Sequence, residues 1–321
     1  MSTEGGTRAV IAALLANTGI AVTKFVAAGI SGSASMLAEG VHSLADAGNQ
    51  VLLLIGGRRA KKAADETHPF GYGRERYVFA FVVAIILFSV GGMFSLYEGI
   101  HKLEAHDALN QEWLWLPLVV LAVAIVLESL SLRTALIEAR KARADGESLV
   151  AFIRHAKQPE LPVILLEDIA ALTGLVLAFG GVGLTLLTGD PTYDALGTIA
   201  IGALLIVVAV VLGIETQSLL VGEGGSRADV AKIRAAFEGH RNVEAIIHMK
   251  TLYLGPDELM VAAKVAVPKT TKAAEIAKAI NEIEVAVREA VPVARVIYIE
   301  PDIYVASSNT STDAIVIPSH D

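Results

Sequence analysis

The sequence predicts a membrane protein with a bundle of six transmembrane helices, followed by a small cytosolic α+β domain. Of its 321 residues, 54% are hydrophobic, and the mean hydropathy is +0.56. Charged residues make up only 19% of the chain, against about 25% in an average soluble domain, and most of them stand between long apolar runs. After Leu220 the apolar runs stop and the pattern becomes that of short helices and strands. These observations predict one membrane domain and one soluble domain, over residues 1–220 and 221–305, with a disordered tail over 306–321.

Six segments are long enough to cross a bilayer core of about 30 Å, which requires roughly 20 residues. The first is the weakest, because Asn17 and Lys24 interrupt it. The third and fourth have Tyr and Trp near their ends, where these side chains favour the headgroup level. The predicted segments cover residues 8–30, 34–57, 77–100, 113–137, 162–187 and 194–219.

The distribution of basic residues predicts the orientation of the bundle. Six Lys and Arg residues lie between Arg58 and Arg76, and five lie between Arg140 and Lys157. The loop over residues 189–194 has none. Because an excess of Lys and Arg marks the cytoplasmic side, we expect a multi-pass protein of the inner (plasma) membrane with both termini in the cytoplasm.

The C-terminal region predicts two helices and three strands in the order αββαβ. Ser226 and Asp229 have the spacing of a helix-capping pair, and residues 255–257 (Gly-Pro-Asp) mark a turn between two strand-like runs. Such an order in about 80 residues is typical of a small α+β domain with helices on one face of a sheet. The predicted elements cover residues 226–239, 244–254, 258–267, 271–290 and 293–299.

The second apolar segment carries a polar stripe around which we interpret the rest of the chain. Ser35, Glu39, His42, Asp46 and Asn49 are spaced four, three, four and three residues apart, so they share one helix face. Each ionisable group at the centre of a membrane helix costs roughly 2.5–3.5 kcal/mol by insertion scales. We therefore interpret the stripe as part of a membrane-embedded cation site. The alternative is a polar seam that holds helices together.

The fifth segment supplies the predicted second half of this site. Glu167 and Asp168 are adjacent in an otherwise apolar run and can reach the depth of His42 and Asp46. Adjacent residues point about 100° apart on a helix, so both carboxylates cannot easily face one ion. We predict Asp168 as a ligand, and Glu167 as either a fourth ligand or a carboxylate that pairs helices.

Other polar residues have less specific patterns. Glu39 is either a group on an entry or proton path or an interhelical carboxylate. Asn17 and Lys24 are candidate partners for the charge of Glu39 or of Asp46. Glu128 in the fourth segment is expected to pair with a basic neighbour. Asp65 and His68 could form a surface metal site or belong to an ordered loop. The chain has no cysteine, which excludes disulfides and thiolate metal sites.

Three stretches together resemble the cation diffusion facilitator family, the zinc transporter type of solute carrier. They are residues 39–46 (Glu-Gly-Val-His-Ser-Leu-Ala-Asp), residues 68–75 (His-Pro-Phe-Gly-Tyr-Gly-Arg-Glu) and the helix-five Asp168. The resemblance covers about residues 8–302. It implies six membrane helices, a ferredoxin-like cytosolic domain and a homodimer that exports a divalent transition metal, commonly Zn²⁺, against inward proton flow. No prosthetic group or enzymatic activity is implied, since the metal is the cargo.

Two departures from the family pattern affect these expectations. Most members have a His four residues before the helix-five Asp, whereas this chain has Ile164, and Glu167 is the nearest substitute. The Leu-Leu-Glu-Asp sequence resembles the branch that includes zinc transporter 9. One imidazole with up to three carboxylates suits Mn²⁺ or Fe²⁺ better than a site with two of each.

The second departure concerns the cytosolic domain. The family's metal-binding positions there correspond to Ile247, Lys264 and Tyr298, none of which binds divalent ions. Tyr72 likewise replaces a loop histidine of some members. We therefore predict a C-terminal domain that dimerises without zinc.

Two other functions remain open from the sequence. A membrane scaffold or metal sensor with the same fold would bind without transporting, and a proton or monovalent-cation pathway would conduct without a divalent ion. An exporter of Mn²⁺, Fe²⁺ or Co²⁺ would share the proposed mechanism. No Gly-rich loop of the Lys-Ser/Thr type is present, so the sequence gives no support to ATP-driven pumping.

Overall fold

The computed structural model describes residues 18–105, 113, 115–143 and 146–304. The start of the first predicted segment, Asn17 and the predicted tail lie outside the described residues. By its internal contacts the chain divides into two units. Among the described residues, one unit contains those up to Ala63 together with Glu75–Ser218, and the other contains Ala64–Arg74 together with those from Leu219 onward.

The described part of the first unit consists of helices and their connections. All of these helices but the short Leu149–His155 agree closely with the predicted segments. Their ends differ from the predicted ends by at most five residues wherever both ends are described. The helices are α1 (Thr18–Ser31), α2 (Ala34–Arg59), α3 (Glu75–Ile86), a π-helical turn (Leu87–Met93), α4 (Phe94–Ala105), α5 (Trp115–Ala142), α6 (Leu149–His155), α7 (Glu160–Thr188) and α8 (Thr192–Val221).

Four helices among the described residues are long and apolar enough to cross a membrane: Glu75–Glu104, Trp115–Ala142, Glu160–Thr188 and Thr192–Val221. The described part of α1 is an apolar helix of 14 residues. Helix α2 has the length to span, but its polar stripe and its basic C-terminal end lower its hydropathy. Membrane crossing by α1 and α2, and hence the count of six, stays a prediction.

The third predicted segment contains a π-helical stretch that the sequence pattern did not reveal. It lies over Leu87–Met93, beside a close approach of two helices. A Cβ added at Gly92 would lie 2.6 Å from Ile206 Cγ1, and one added at Gly202 would lie 2.7 Å from the backbone N of Leu96. Because these glycines have no side chain, the π-helical turn and the start of α4 can pack closely against the backbone of α8, as small residues allow between membrane helices.

An acidic side chain on one helix caps the start of another. Asp194, in the first turn of α8, is 1% exposed. Its Oδ2 accepts a hydrogen bond from the Ala34 backbone N–H at 2.7 Å, and its Oδ1 accepts one from the Ser33 hydroxyl at 2.8 Å. The Ser33 hydroxyl in turn accepts from the Met36 backbone N–H. The positive ends of the α2 and α8 helix dipoles thus face the Asp194 carboxylate. This contact fixes where α2 begins.

The second unit contains α9 (Arg227–Glu238), β1 (Ala245–Gly255), β2 (Glu258–Ala266), α10 (Ala273–Ala290) and β3 (Ala294–Asp302). The sheet order is β1-β2-β3, with β1 antiparallel and β3 parallel to β2. The Ser226 hydroxyl accepts from the Asp229 backbone N–H at 3.0 Å, as the capping spacing predicts. The hydrophobic core of the second unit contains Phe237, Leu259, Ile283 and Val287. This order is the predicted αββαβ, and assignment to the ferredoxin-like fold stays a prediction.

Candidate cation site

One cavity in the helical unit is lined by ionisable side chains from four helices. It has a volume of about 100 Å³, which is room for a cation with part of its hydration shell. Its charged lining consists of Lys24 from α1, Asp46 from α2, Glu128 from α5, and Glu167 and Asp168 from α7. Three of the four predicted ligands, Asp46, Glu167 and Asp168, therefore face one space.

The fourth predicted ligand, His42, lies one helical turn before Asp46. Its side chain is 1% exposed, and its Nε2 is 3.5 Å from Asp46 Oδ2. Neither ring nitrogen has a hydrogen-bond partner within the described part of the chain, and neither does Asp46 Oδ1. Buried polar atoms are nearly always paired. An imidazole and a carboxylate that lie 3.5 Å apart, with no hydrogen bond to either ring nitrogen, have the donor chemistry that divalent transition metals prefer.

The adjacent carboxylates of α7 turn toward different helices. Glu167 Oε1 accepts a hydrogen bond from Asn49 Nδ2 of α2 at 2.7 Å, whereas Asp168 Oδ2 accepts one from the Ser131 hydroxyl of α5 at 3.1 Å. The angle of about 100° between neighbouring helical residues explains this divergence. Glu167 makes the helix-pairing contact that was one of its two expected roles, and its role as a ligand stays a prediction.

A buried ion pair joins α1 to α2 beside the cavity. Lys24 Nζ donates to Glu39 Oε2 at 3.0 Å and to the Ser43 hydroxyl at 2.7 Å, and the side chains of Lys24 and Glu39 are only 4% and 0% exposed. Of the two expected roles of Glu39, the structure describes an interhelical carboxylate. The Lys24 ammonium is thereby held at one wall of the cavity.

Glu128 does not have the expected basic partner. Within the residues described, no Lys or Arg forms an ion pair with it, and its side chain lines the cavity with Asp46, Glu167 and Asp168. The contacts of Glu128 depend on which face of α5 meets α2 and α7, and the sequence of α5 alone does not determine that face. A lone acid in an apolar span was the available signal.

The ligating atoms have not converged on one point. No group of three His, Asp or Glu side chains in the described ranges lies close enough together to hold a metal ion. The arrangement instead supplies an acidic, partly enclosed cavity beside an unpaired imidazole. Metal coordination by Asp46, Glu167 and Asp168 together would require movements of side chains or helices.

The loop residues Asp65 and His68 form an ordered turn. Asp65 Oδ1 accepts from the His68 backbone N–H at 2.8 Å, and its Oδ2 accepts from the Tyr72 hydroxyl at 2.7 Å. His68 also packs against the Tyr72 ring, with 4.3 Å between centroids. These contacts favour the ordered-loop alternative, because one carboxylate and one imidazole supply few ligands.

The three positions of the second unit at which a metal-binding residue was expected from the family, Ile247, Lys264 and Tyr298, do not form a metal site. Lys264 on β2 forms ion pairs with Glu300 at 2.9 Å and Asp302 at 3.0 Å on β3. The hydrogen bonds to Glu300 and then to Asp302 raise the pKa of Lys264, so it stays a cation at neutral pH. Neither Ile247 nor Tyr298 has the side-chain chemistry of a divalent-ion ligand.

Comparison with known proteins identifies the family. Residues 10–221 match the family described as the cation efflux transmembrane domain, which is more than half of the chain. The chain belongs to this family. Cation efflux proteins, also called cation diffusion facilitators, are metal transporters and not enzymes.

Several named relatives resemble the chain over most of its length. It is 34% identical over 263 residues to the human proton-coupled zinc antiporter SLC30A9, mitochondrial, which covers 82% of this chain and 46% of that protein. It is 30% identical to metal tolerance protein C4 of Arabidopsis thaliana, over 80% of this chain and 56% of that one. It is 28% identical to magnetosome protein MamB of Magnetospira sp., over 63% of each chain. The chain thus spans about half the length of the first two relatives.

Proposed function

We propose that this cation efflux protein is a proton-coupled antiporter that exports a divalent transition metal ion, foremost Zn²⁺, from the cytosol. His42 and Asp46 of α2, with Asp168 and Glu167 of α7, are the proposed ligands. The protein acts as a homodimer in the inner (plasma) membrane with both termini in the cytoplasm. Export proceeds by alternating access, in which the helices move around the cation site.

One observation carries the proposal: carboxylates of α2 and α7 line a single cavity, and the unpaired His42 lies beside it. Ionisable residues inside a membrane domain are costly and mark ion or proton pathways. The similarity to the zinc antiporter, at 34% identity over 82% of this chain, supports zinc as the cargo.

Proton coupling follows from the chemistry of the ligands. Imidazole and carboxylate bind a metal ion only when deprotonated, so metal and protons compete for the same atoms. Protons entering from the far side would displace the ion there, and loss of those protons to the cytosol would prepare the site for the next ion.

The cavity chemistry also favours a second cargo. Carboxylate oxygens outnumber imidazole nitrogens, since Asp46, Glu167 and Asp168 accompany one His42. Carboxylates suit Mn²⁺ and other hard ions, whereas imidazole suits Zn²⁺. Mn²⁺ export by the same mechanism is therefore the alternative that the site supports.

The test is metal uptake into proteoliposomes that contain the purified protein and carry a pH gradient. We expect Asp46→Ala and Asp168→Ala each to abolish uptake of Zn²⁺ and Mn²⁺, because each removes a proposed ligand. The matched control is Glu138→Ala, which removes an exposed carboxylate of α5 that pairs with Lys141 and should leave uptake unchanged.

Two results would contradict parts of this proposal. Absence of wild-type uptake across a panel of divalent ions would favour a scaffold or metal sensor. Normal uptake by Glu167→Ala would remove Glu167 from the ligand set and leave only its contact with Asn49.

A further inference from the structure

We propose that Glu128 of α5 binds the transported cation directly, so that the cation site is built from three helices rather than two. This inference rests on the proposed function. It adds a carboxylate from an element outside the predicted α2 and α7 pair, and it gives the fourth predicted segment a part in ion binding.

The first argument is the face that α5 turns toward the cavity. Ala124, Leu127, Glu128 and Ser131 all line it. Their spacing of three, four and seven residues from Ala124 is that of a single helix face. Glu128 is therefore not a surface acid near the end of a helix, because it lies on the stripe that covers the cavity.

The second argument is the connection of this face to a proposed ligand. Ser131, one turn after Glu128, donates a hydrogen bond to Asp168 Oδ2 at 3.1 Å. This bond sets the register between α5 and α7 at the depth of the cavity. Glu128 and Asp168 consequently approach the same volume from two different helices.

The third argument is charge. Lys24 is the one basic side chain of the lining, and its ammonium already donates to Glu39 and Ser43. In the described residues, Asp46, Glu128, Glu167 and Asp168 form no ion pair with Lys or Arg, and only Asp46 lies beside an imidazole. Four carboxylates around one cavity of a membrane domain need positive charge from outside the protein. A divalent ion supplies two units of positive charge, and bound protons supply the rest of the positive charge.

An independent observation indicates that this positive charge includes a metal ion. His42 is 1% exposed, next to Asp46, and both of its nitrogens lack a hydrogen-bond partner among the side chains and backbone described. A cluster that bound protons alone would not need, beside it, a buried imidazole without a hydrogen bond to either ring nitrogen. A cation that binds imidazole and carboxylate together would use both groups.

The experiment measures metal binding to the purified full chain in detergent, by calorimetric titration with ZnCl₂ and with MnCl₂, and uptake into proteoliposomes. The substitution is Glu128→Gln, which removes the charge and keeps the volume. We expect at least about a tenfold weaker affinity for both ions, the change expected even for groups that only support a ligand. The loss should be larger for Mn²⁺, because carboxylate oxygen contributes more to binding a hard ion.

The matched control is Glu138→Gln on the same helix, where the carboxylate is 53% exposed and pairs with Lys141. It should keep wild-type affinity. Glu128→Asp keeps the charge on a shorter side chain and should bind with intermediate affinity. If Glu128→Gln does not purify as a monodisperse protein, Glu128→Asp provides the test instead. An affinity of Glu128→Asp equal to that of the wild type would overturn the inference.

The outcomes separate this inference from the proposed function. If the wild type is active and Glu128→Gln has an affinity and a KM for uptake within twofold of the wild-type values, the role of Glu128 is overturned. The proposed function would not be affected by that result. A wild type that neither binds nor transports a divalent ion would overturn the proposed function. Loss of affinity in Glu138→Gln equal to that in Glu128→Gln would also overturn the inference, because the effect would then be one of total charge.

Discussion

At the scale of single residues, Gly174 determines whether Glu39 can occupy its buried position. A Cβ added at Gly174 would lie 2.7 Å from Glu39 Oε1. Glu39 cannot retreat easily, because its other oxygen accepts from Lys24 at 3.0 Å. Breaking such a buried pair is costly, since it leaves a charge without compensation. The glycine on α7 thus protects an ion pair between α1 and α2.

We therefore expect Gly174→Ala to lower the free energy of unfolding by about 1–3 kcal/mol, the usual cost of overpacking. The matched control is Gly180→Ala on the same helix, where an added Cβ meets nothing within 4 Å. That variant should be neutral or more stable by up to about 1 kcal/mol, because alanine favours helix. Thermal unfolding in detergent measures both, and equal midpoints for the two variants would contradict this account of Gly174.

At the scale of elements, the position of α2 depends on a side chain that is distant in sequence. Asp194 of α8 accepts from the backbone N–H of Ala34 and from the hydroxyl of Ser33. Its own backbone carbonyl accepts from the Ser35 hydroxyl at 2.9 Å. The helix that carries His42 and Asp46 is thereby anchored at its first turn to α8.

Removal of this anchor should destabilise the helical unit. We expect Asp194→Ala to lower the free energy of unfolding by about 2 kcal/mol, since a cap contributes about 1–2 kcal/mol and buried donors would lose their acceptor. It should also lower metal uptake, because α2 would shift. The control is Asp190→Ala, which removes an exposed acceptor of the Thr192 N–H. If Asp194→Ala and Asp190→Ala have the same unfolding midpoint and the same uptake, Asp194 does not anchor α2.

At the scale of the whole molecule, the prediction still to be tested is the number of membrane crossings. The four apolar helices satisfy the length and hydropathy requirements, whereas α2 is made less apolar by the residues that serve the proposed site. Crossing by α2 requires that its polar stripe face the protein interior. Its buried residues Glu39, His42 and Asn49 satisfy that requirement.

The chain has no cysteine, so single cysteines can report topology without a background. With six crossings, Lys62→Cys and Ala228→Cys should react with a membrane-impermeant maleimide from the cytosolic side. Gly29→Cys and Asp190→Cys should react from the opposite side. Labelling of Gly29→Cys and Lys62→Cys from the same side would show that α2 does not cross.

The sequence predicted most elements because their signals are local. Apolar length identified the helices, Ser226 and Asp229 identified the start of α9, and the turn at residues 255–257 separated the first two strands. The π-helical turn at Leu87–Met93 was missed, since it depends on packing between helices rather than on a local pattern. Glu128 was expected to pair with a basic neighbour, and its place in the cavity lining likewise depends on packing between helices.

The sequence by itself determined the polar stripe of α2, the Glu167-Asp168 pair and the family motifs, because periodicity and spacing are properties of one segment. Only the tertiary structure decided which acids share a cavity, that Lys24 pairs with Glu39, and that Asp194 caps α2. Those contacts join residues between 15 and 161 positions apart, and their geometry depends on how the helices are rotated and shifted against one another. The sequence of one helix does not determine how that helix is rotated relative to its neighbour. The packing of the two helices determines it.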